Sequence, residues 1–402
     1  LEAGSLSTGF AGIEAIRREL EDFKDSGKFI VSYGDYYTQG AYYLCSVADS
    51  VFLNPQGSVS LVGLASQGLF FTGLAEKIGV EHYIFKVGTY KSAVEPFFLK
   101  KFSDANREQL TSFLGSVWGN LTTAIEKSRN ISSDELDRYL NEGLAMGQAS
   151  NAVDYKLADG LRYRYEVENC VKEMAGQDVK GKLKTAGVDK VASIKVKEKD
   201  SGNKIAVLYA EGEIRDDDSS SPFSADEQVI SEEMANKLRK LKDDDDVKAV
   251  VFRVNSPGGS AYISEQIWKE VVELKAKKPI VVSMGNYAAS GGYYISCAAN
   301  KIVAERTTLT GSIGVFGVVR NFTGTFDKVG VTTDIVKTNT FADLGDISRP
   351  MREDEKALIQ RGVEQTYDLF LTRCADGRGM TKAEIDSIGQ GRIWTGEQAL
   401  ER

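Results

Sequence analysis

Residues 283–294 read SMGNYAASGGYY, and residues 32–43 read SYGDYYTQGAYY. The two stretches align without a gap at an offset of 251 residues, from Ser32 to Ser283. The register holds upstream, where Gly12-Ile13-Glu14-Ala15-Ile16 faces Ile263-Ser264-Glu265-Gln266-Ile267. Both segments open an amphipathic helix leading to a short strand, Phe29 to Ser32 or Pro279 to Ser283. It also holds downstream, where Lys86-Val87-Gly88-Thr89-Tyr90 faces Lys337-Thr338-Asn339-Thr340-Phe341. Further on the offset slips to 249, and Ser132 to Glu135 matches Thr381 to Glu384, each spaced as a helix capping box. Self-similarity over most of both halves means two related units.

The better-preserved second half reads as strand (205–210), acidic loop, helix (230–241), strand (249–254), glycine turn, helix (262–276) and strand (280–283). A helix beginning at Ser290 follows, then strand 302–304, a helix near 322–329 and strand 331–336. Strand and helix alternate, which implies an α/β fold with parallel pairing through right-handed crossovers. The expected domains are an N-terminal repeat over 1–175, a lysine- and glycine-rich linker over 176–203, and a C-terminal repeat over 204–402. On the repeat, Leu1 would correspond to Phe252, so the N-terminal copy is expected to be truncated at its start.

At 402 residues the chain exceeds one ordinary core, and its 42% apolar and 27% charged content is that of a globular protein. A net charge of −8 argues against nucleic acid as a partner, because phosphate backbones demand a basic face. The richest apolar run, Val59 to Leu74, is too interrupted to span a membrane. The four cysteines show no paired spacing for zinc or a redox motif, and the thiols read as free, packed residues. Asp216 to Asp218 and Asp243 to Asp246 read as solvated turns without calcium-loop spacing. The one histidine, His82, sits in an alternating strand pattern and reads as structural. Catalysis through histidine is thereby set aside.

Two glycine turns carry chemistry. Asn255-Ser256-Pro257-Gly258-Gly259-Ser260 joins a strand to a helix, where exposed N–H groups suit an oxyanion; alone, it is equally a plain connection. Ala288-Ala289-Ser290-Gly291-Gly292 likewise places the Ser290 hydroxyl at a helix start beside the Gly291 N–H, as a nucleophile elbow does, although an N-cap serine would look the same. The repeat separates these readings. Ser290 corresponds to Gln39, a poor cap, and Gly258-Gly259 to Ser7-Thr8, so both features have decayed in the first half. The reverse holds for Lys91, which corresponds to Ala342. Each half lacks what the other keeps, which points to one composite site with Ser290 as nucleophile and Lys91 as base. A lysine serves as base when burial keeps it neutral. Ser312, in Thr310-Gly311-Ser312-Ile313-Gly314, is a candidate to orient the amine or a loop cap.

With NSPGGS at 255–260, YAASGGYY at 287–294, TLTGSIGVFG at 308–317 and VGTYKSAVEPF at 87–97, the chain resembles the signal peptide peptidase A family in its long, tandem-duplicated form. That resemblance implies two tandem crotonase- and Clp protease-like α/β domains of repeated β-β-α units with helical extensions. It implies Ser290 as nucleophile, Lys91 as general base, Ser312 as the hydroxyl that positions it, and Gly258 and Gly291 as oxyanion donors, with no metal or nucleotide. It further implies a serine endopeptidase acting on hydrophobic peptides such as remnant signal peptides, a homotetramer, and inner-membrane attachment on the periplasmic side through an N-terminal anchor. Two other readings compete: a crotonase-type acyl-CoA hydratase or isomerase, which would work through carboxylates, and a non-catalytic oligomeric scaffold.

Overall fold

The computed structural model describes residues 1–2, 4, 6–194, 202–216 and 228–402. Asp217 and Asp218 of the expected acidic loop, and 195–201 of the expected linker, lie outside them. Two compact units form, one from residues 1–64 with 117–203 and one from 65–116 with 204–402. This division cuts across the two halves of the repeat: the Lys91 segment, expected in a domain of 1–175, folds with 204–402. The cause is backbone pairing. Strand Glu81–Val87 runs antiparallel to Val315–Asn321, from Val87 opposite Val315 to Glu81 opposite Asn321, and a strand needs such a partner for its N–H and C=O groups.

The first unit holds a three-stranded parallel sheet in the order Val31–Tyr37, Ser50–Val59, Gly160–Leu161. Its core gathers Tyr37, Tyr42, Leu53, Leu121, Ile125 and Leu136. The buried tyrosines keep their hydroxyls satisfied, Tyr42 donating to the Leu157 carbonyl at 2.7 Å and Tyr139 to that of Val59 at 3.0 Å.

In the second unit a sheet runs in the order Ile393–Thr395, Leu309–Gly311, Ile280–Ala289, Val247–Ser256, Lys204–Glu211. Lys301–Val303 also pairs with Ile280–Ala289. All these pairings are parallel except that of Ile393–Thr395, which lies antiparallel to Leu309–Gly311. Against the sheet packs helix Ala261–Lys277, burying Ile263, Ile267, Val271 and Leu274 one turn apart, with Ser260 Oγ capping the Ile263 N–H. A second layer forms where Phe85, Met351 and Val363 bring strand Glu81–Val87 onto helix Glu353–Arg378. Both predicted capping boxes are present, at Ser132/Glu135 and Thr381/Glu384.

Several expectations change. No strand forms over 331–336: the segment is irregular and Val336 is 98% exposed. Among the described residues it joins no sheet, and apolar alternation alone does not make a strand. The helix expected from Ser290 begins at Gly291 and ends at Tyr294. His82 stacks on Phe97 at 5.1 Å, with burial lowering its pKa. All four cysteines are free. Asp243 and Asp246 pair with Lys277 and Lys204 at 2.9 and 2.8 Å. Among the described residues no helix is long and apolar enough to cross a membrane.

Candidate functional site

The glycines of the two turns are where three backbones converge. Gly258 and Gly259 hold φ of +103° and +148°, values that exclude most side chains. A Cβ on Gly259 would come within 2.0 Å of the Ile214 carbonyl oxygen, one on Gly258 within 2.6 Å of the Gly291 nitrogen, and one on Gly292 within 2.6 Å of the Ser256 carbonyl. The sheet register prepares this approach. Val254 pairs with Met284, but Ser256 pairs with Ala288, so the second strand bulges. Asn255 Oδ1 fills the bulge by accepting the Asn286 N–H at 3.0 Å.

Beyond that bulge, Ser290 adopts φ +53° and ψ −119°, a backbone region that costs a non-glycine residue about 1–3 kcal/mol. It is held there by its own N–H, which donates to the Gly311 carbonyl at 2.9 Å. Its side chain makes no capping bond to the following helix. The hydroxyl is turned instead to Lys91, with Nζ and Oγ 3.0 Å apart. This removes the reading of Ser290 as an N-cap.

Lys91 is 4% exposed. Nζ also meets the Ser312 carbonyl at 3.2 Å and Ser312 Oγ at 3.1 Å, and it lies 5.8 Å from the centre of the Phe316 ring. Among the described residues no carboxylate is bonded to it, and burial pulls its pKa from 10.5 to about 8. A neutral amine has two N–H groups and one lone pair. With the N–H groups on the two Ser312 oxygens, the lone pair faces the Ser290 hydroxyl. Both Ser312 oxygens thus lie within hydrogen-bond reach of the amine, and Ser312 is held at φ +51° by its N–H to the Arg392 carbonyl at 2.7 Å.

Gly291 and Gly258, the two expected oxyanion donors, stand together beside Ser290. The Gly258 N–H already donates to Ser256 Oγ at 3.2 Å. Gly259 bridges to Ile214 through its neighbours' groups, so its own N–H points away from Ile214, and a Cβ on Gly291 would lie 3.1 Å from that nitrogen. A cavity of about 560 Å³ opens at this point, lined among others by Ile214, Ser264, Ser290, Tyr294, Phe316 and Phe370.

Sequence reasoning missed what holds the lysine turn. Gln109 is 1% exposed; its Nε2 donates to the Tyr90 carbonyl at 3.0 Å and Ser92 Oγ at 2.9 Å, and its Oε1 accepts the Ile393 N–H at 3.2 Å. Buried Glu95 accepts from Asn106 Nδ2 at 2.9 Å. Gly391, at φ +78°, lets its loop lie against Lys91, whose backbone nitrogen would be 2.6 Å from an added Cβ. The glycines of Gly389 to Gly391 were the available signal; a lone glutamine in a helix gives none.

The sequence model of peptidase family S49 matches residues 22–178 and 272–402, and that of Clp protease matches 223–313. Protease 4 of Salmonella typhi is 39% identical over 96% of this chain and 62% of its own length. The chloroplastic serine protease SPPA of Arabidopsis thaliana is 33% identical over 100% of this chain and 60% of its own. The chain thus spans about three fifths of the length of these relatives. A mutant ClpP1 of Listeria monocytogenes aligns with 48% of this chain and 85% of its own, at 14% identity and a TM-score of 0.30. The two-part family match falls on both halves of the internal repeat, and on that ground the chain belongs to peptidase family S49.

Proposed function

We propose that this chain is a serine endopeptidase in which Ser290 attacks and Lys91 serves as general base. The observation that carries the reading is the 3.0 Å contact between Lys91 Nζ and Ser290 Oγ, made by an amine whose burial lowers its pKa to about 8. Neutral Lys91 takes the Ser290 proton as Oγ bonds to the scissile carbonyl carbon. The carbonyl oxygen becomes an oxyanion facing the Gly291 N–H and the 258–259 turn; Gly258 must exchange its Ser256 contact to take part. The Lys91 ammonium then returns the proton to the leaving amine as the C–N bond breaks. Water, deprotonated by the same amine, hydrolyses the ester and restores Ser290.

An apolar cavity lining of Ile214, Val315, Phe316 and Phe370 suits hydrophobic peptide side chains, which supports signal-peptide remnants as substrates. The family resemblance supports a homotetramer and attachment to the periplasmic side of an inner membrane through an N-terminal anchor. A hydratase would need carboxylates at the turn, whereas the group that meets Ser290 is an amine.

A fluorophosphonate probe tests the assignment. We expect covalent labelling of the wild-type chain that Ser290→Ala abolishes and Lys91→Ala reduces at least about a hundredfold. Labelling that persists in the Ser290 variant rules out the nucleophile; labelling unchanged in the Lys91 variant rules out the base.

A further inference from the structure

Among the described residues, five that are not glycine hold a positive φ, and three of these are Ser290, Ser312 and Gln390. Ser290 and Ser312 meet the Lys91 amine; Gln390, at φ +52°, does not. A left-handed backbone is disfavoured for such a side chain and persists only where the surroundings hold it.

The repeat shows where the strain arises. At the offset of 249, helix Glu353–Arg378 corresponds to Asp104–Arg129, and Gln390 corresponds to Asn141. Asn141 is the last residue of helix Ser133–Asn141, and its Nδ2 turns back to the Asp137 carbonyl of that helix at 2.9 Å. The equivalent helix of the second copy, Lys382–Ile388, stops short of Gln390, and 389–392 leave it as a strap. The departure falls in the copy that carries Ser290.

That strap holds both sides of the dyad. On one side the Gln390 carbonyl accepts the Tyr90 N–H at 2.8 Å and its Oε1 accepts the Thr89 N–H at 3.3 Å, which ties down the turn carrying Lys91. On the other, the Gly391 N–H donates to the Ile313 carbonyl and the Ser312 N–H to the Arg392 carbonyl, each at 2.7 Å. Asp386 in turn fixes Gln390. Asp386 Oδ1 accepts from both Gln390 Nε2 and the Tyr367 hydroxyl, and the Tyr367 oxygen accepts the Gln390 N–H at 3.2 Å. Tyr367 is 7% exposed, and its counterpart in the first copy, Trp118, has no hydroxyl to offer. With Nε2 committed to a carboxylate, the amide presents its oxygen, the acceptor, to Thr89.

We infer that Asp386 is a positioning residue: by orienting Gln390 it sets where the Lys91 turn sits against the turns of Ser290 and Ser312. It touches neither substrate nor reacting atoms. The inference rests on the reading of Ser290 and Lys91 as nucleophile and base.

The test measures kcat and KM on an apolar fluorogenic peptide, per active site titrated to its endpoint with a fluorophosphonate, so that unfolded chains are not counted. Asp386→Ala should lower kcat about tenfold with KM within about twofold. Asp386→Asn keeps an acceptor oxygen and should stay within about twofold of the wild type. Gln390→Glu sets two carboxylates against each other and should lose about tenfold in kcat. Combined with Asp386→Asn it restores one amide and one carboxylate with their roles exchanged, and kcat should recover to within about threefold of the wild type. An unchanged kcat in Asp386→Ala overturns the inference, and so does a double variant as slow as Gln390→Glu alone. Should the alanine variant give no titratable sites, Gln390→Glu and the exchange decide it. The catalytic reading fails separately, by probe labelling that persists in Ser290→Ala.

Discussion

The turns at Thr38–Gly40 and Ala289–Gly291 descend from one pattern and do opposite things with their backbones. In the first, Thr38 is extended and its hydroxyl accepts the Ala41 N–H, so helix Gln39–Cys45 starts on an ordinary cap. In the second, the residue aligned with Thr38 is Ala289, the cap is gone, and Ser290 is forced to φ +53° with its hydroxyl on Lys91. Of the two turns, the strained one is the one that presents a hydroxyl to an amine. The cap in the first half lies one residue before the position that sequence alignment nominates, so Gln39 is not a failed cap but the first residue of a well-capped helix.

The largest effects should come from the hydroxyl. Ser290→Ala should lower peptide turnover by at least about a thousandfold. The reciprocal variant, Gln39→Ser, should gain no labelling by a fluorophosphonate, because its backbone is helical and the counterpart of its base is Ala342. Mass spectrometry locating probe on residue 39 would show that the hydroxyl alone, without strain or amine, suffices.

Next comes the base. With the Lys91 pKa near 8, the rate should rise with pH and level off above a midpoint near 8. A pH-rate profile flat from 6 to 10 would count against a titrating amine. Stability moves in a linked way. Because the folded-state pKa is lowered, the unfolded chain binds more protons between about 8 and 10.5, so this group contributes stability that grows as pH rises through that window. Below about 8 the buried ammonium is a liability. Lys91→Met should therefore raise stability at pH 7 by about 1–3 kcal/mol while lowering turnover about a thousandfold. Urea unfolding at pH 7 that finds the variant less stable contradicts the burial argument.

A smaller contrast lies at the paired glycines. A Cβ on Gly291 would meet Ser264 Oγ at 2.7 Å and the Gly259 nitrogen at 3.1 Å, whereas on Gly40, its counterpart, it meets only Ile13 Cδ1 at 3.0 Å. Gly291→Ala should cost about ten- to a hundredfold in kcat, and Gly40→Ala should leave kcat within about twofold. Equal losses would remove the distinction between an oxyanion turn and a packing turn.

The α/β alternation, the duplication and the nearness of Lys91, Ser290 and Ser312 trace to local signatures: a glycine-rich turn, a hydroxyl after small residues, and a residue present in one copy but replaced in the other. The compact units were not, because they depend on which strand Glu81–Val87 finds, and periodicity carries no partner. Strand 331–336 failed for the same reason: Val331, Ile335 and Val336 are strand-forming residue types, yet all three are exposed. Gln109 was invisible because its role is set by three segments distant in sequence.

That residue supplies the smallest and most discriminating effect. Lys91 reaches Ser290 from a turn, not from the interior of a strand, and turns are mobile unless their carbonyls are engaged. Gln109 ties that turn at Tyr90 and Ser92 to the Ile393 backbone. Gln109→Leu keeps the volume while removing every one of those bonds, so substrate binding in the cavity should persist. The amine, however, should sample positions away from Oγ. We expect kcat to fall about tenfold with KM within about twofold, and Gln109→Glu to rescue neither, since a carboxylate has no N–H for the Tyr90 carbonyl. A loss of thermal stability with kcat unchanged would make Gln109 a packing residue. A fall in kcat with the pH midpoint retained would mark it as a positioning residue, because orientation, not the lysine's desolvation, is what it controls.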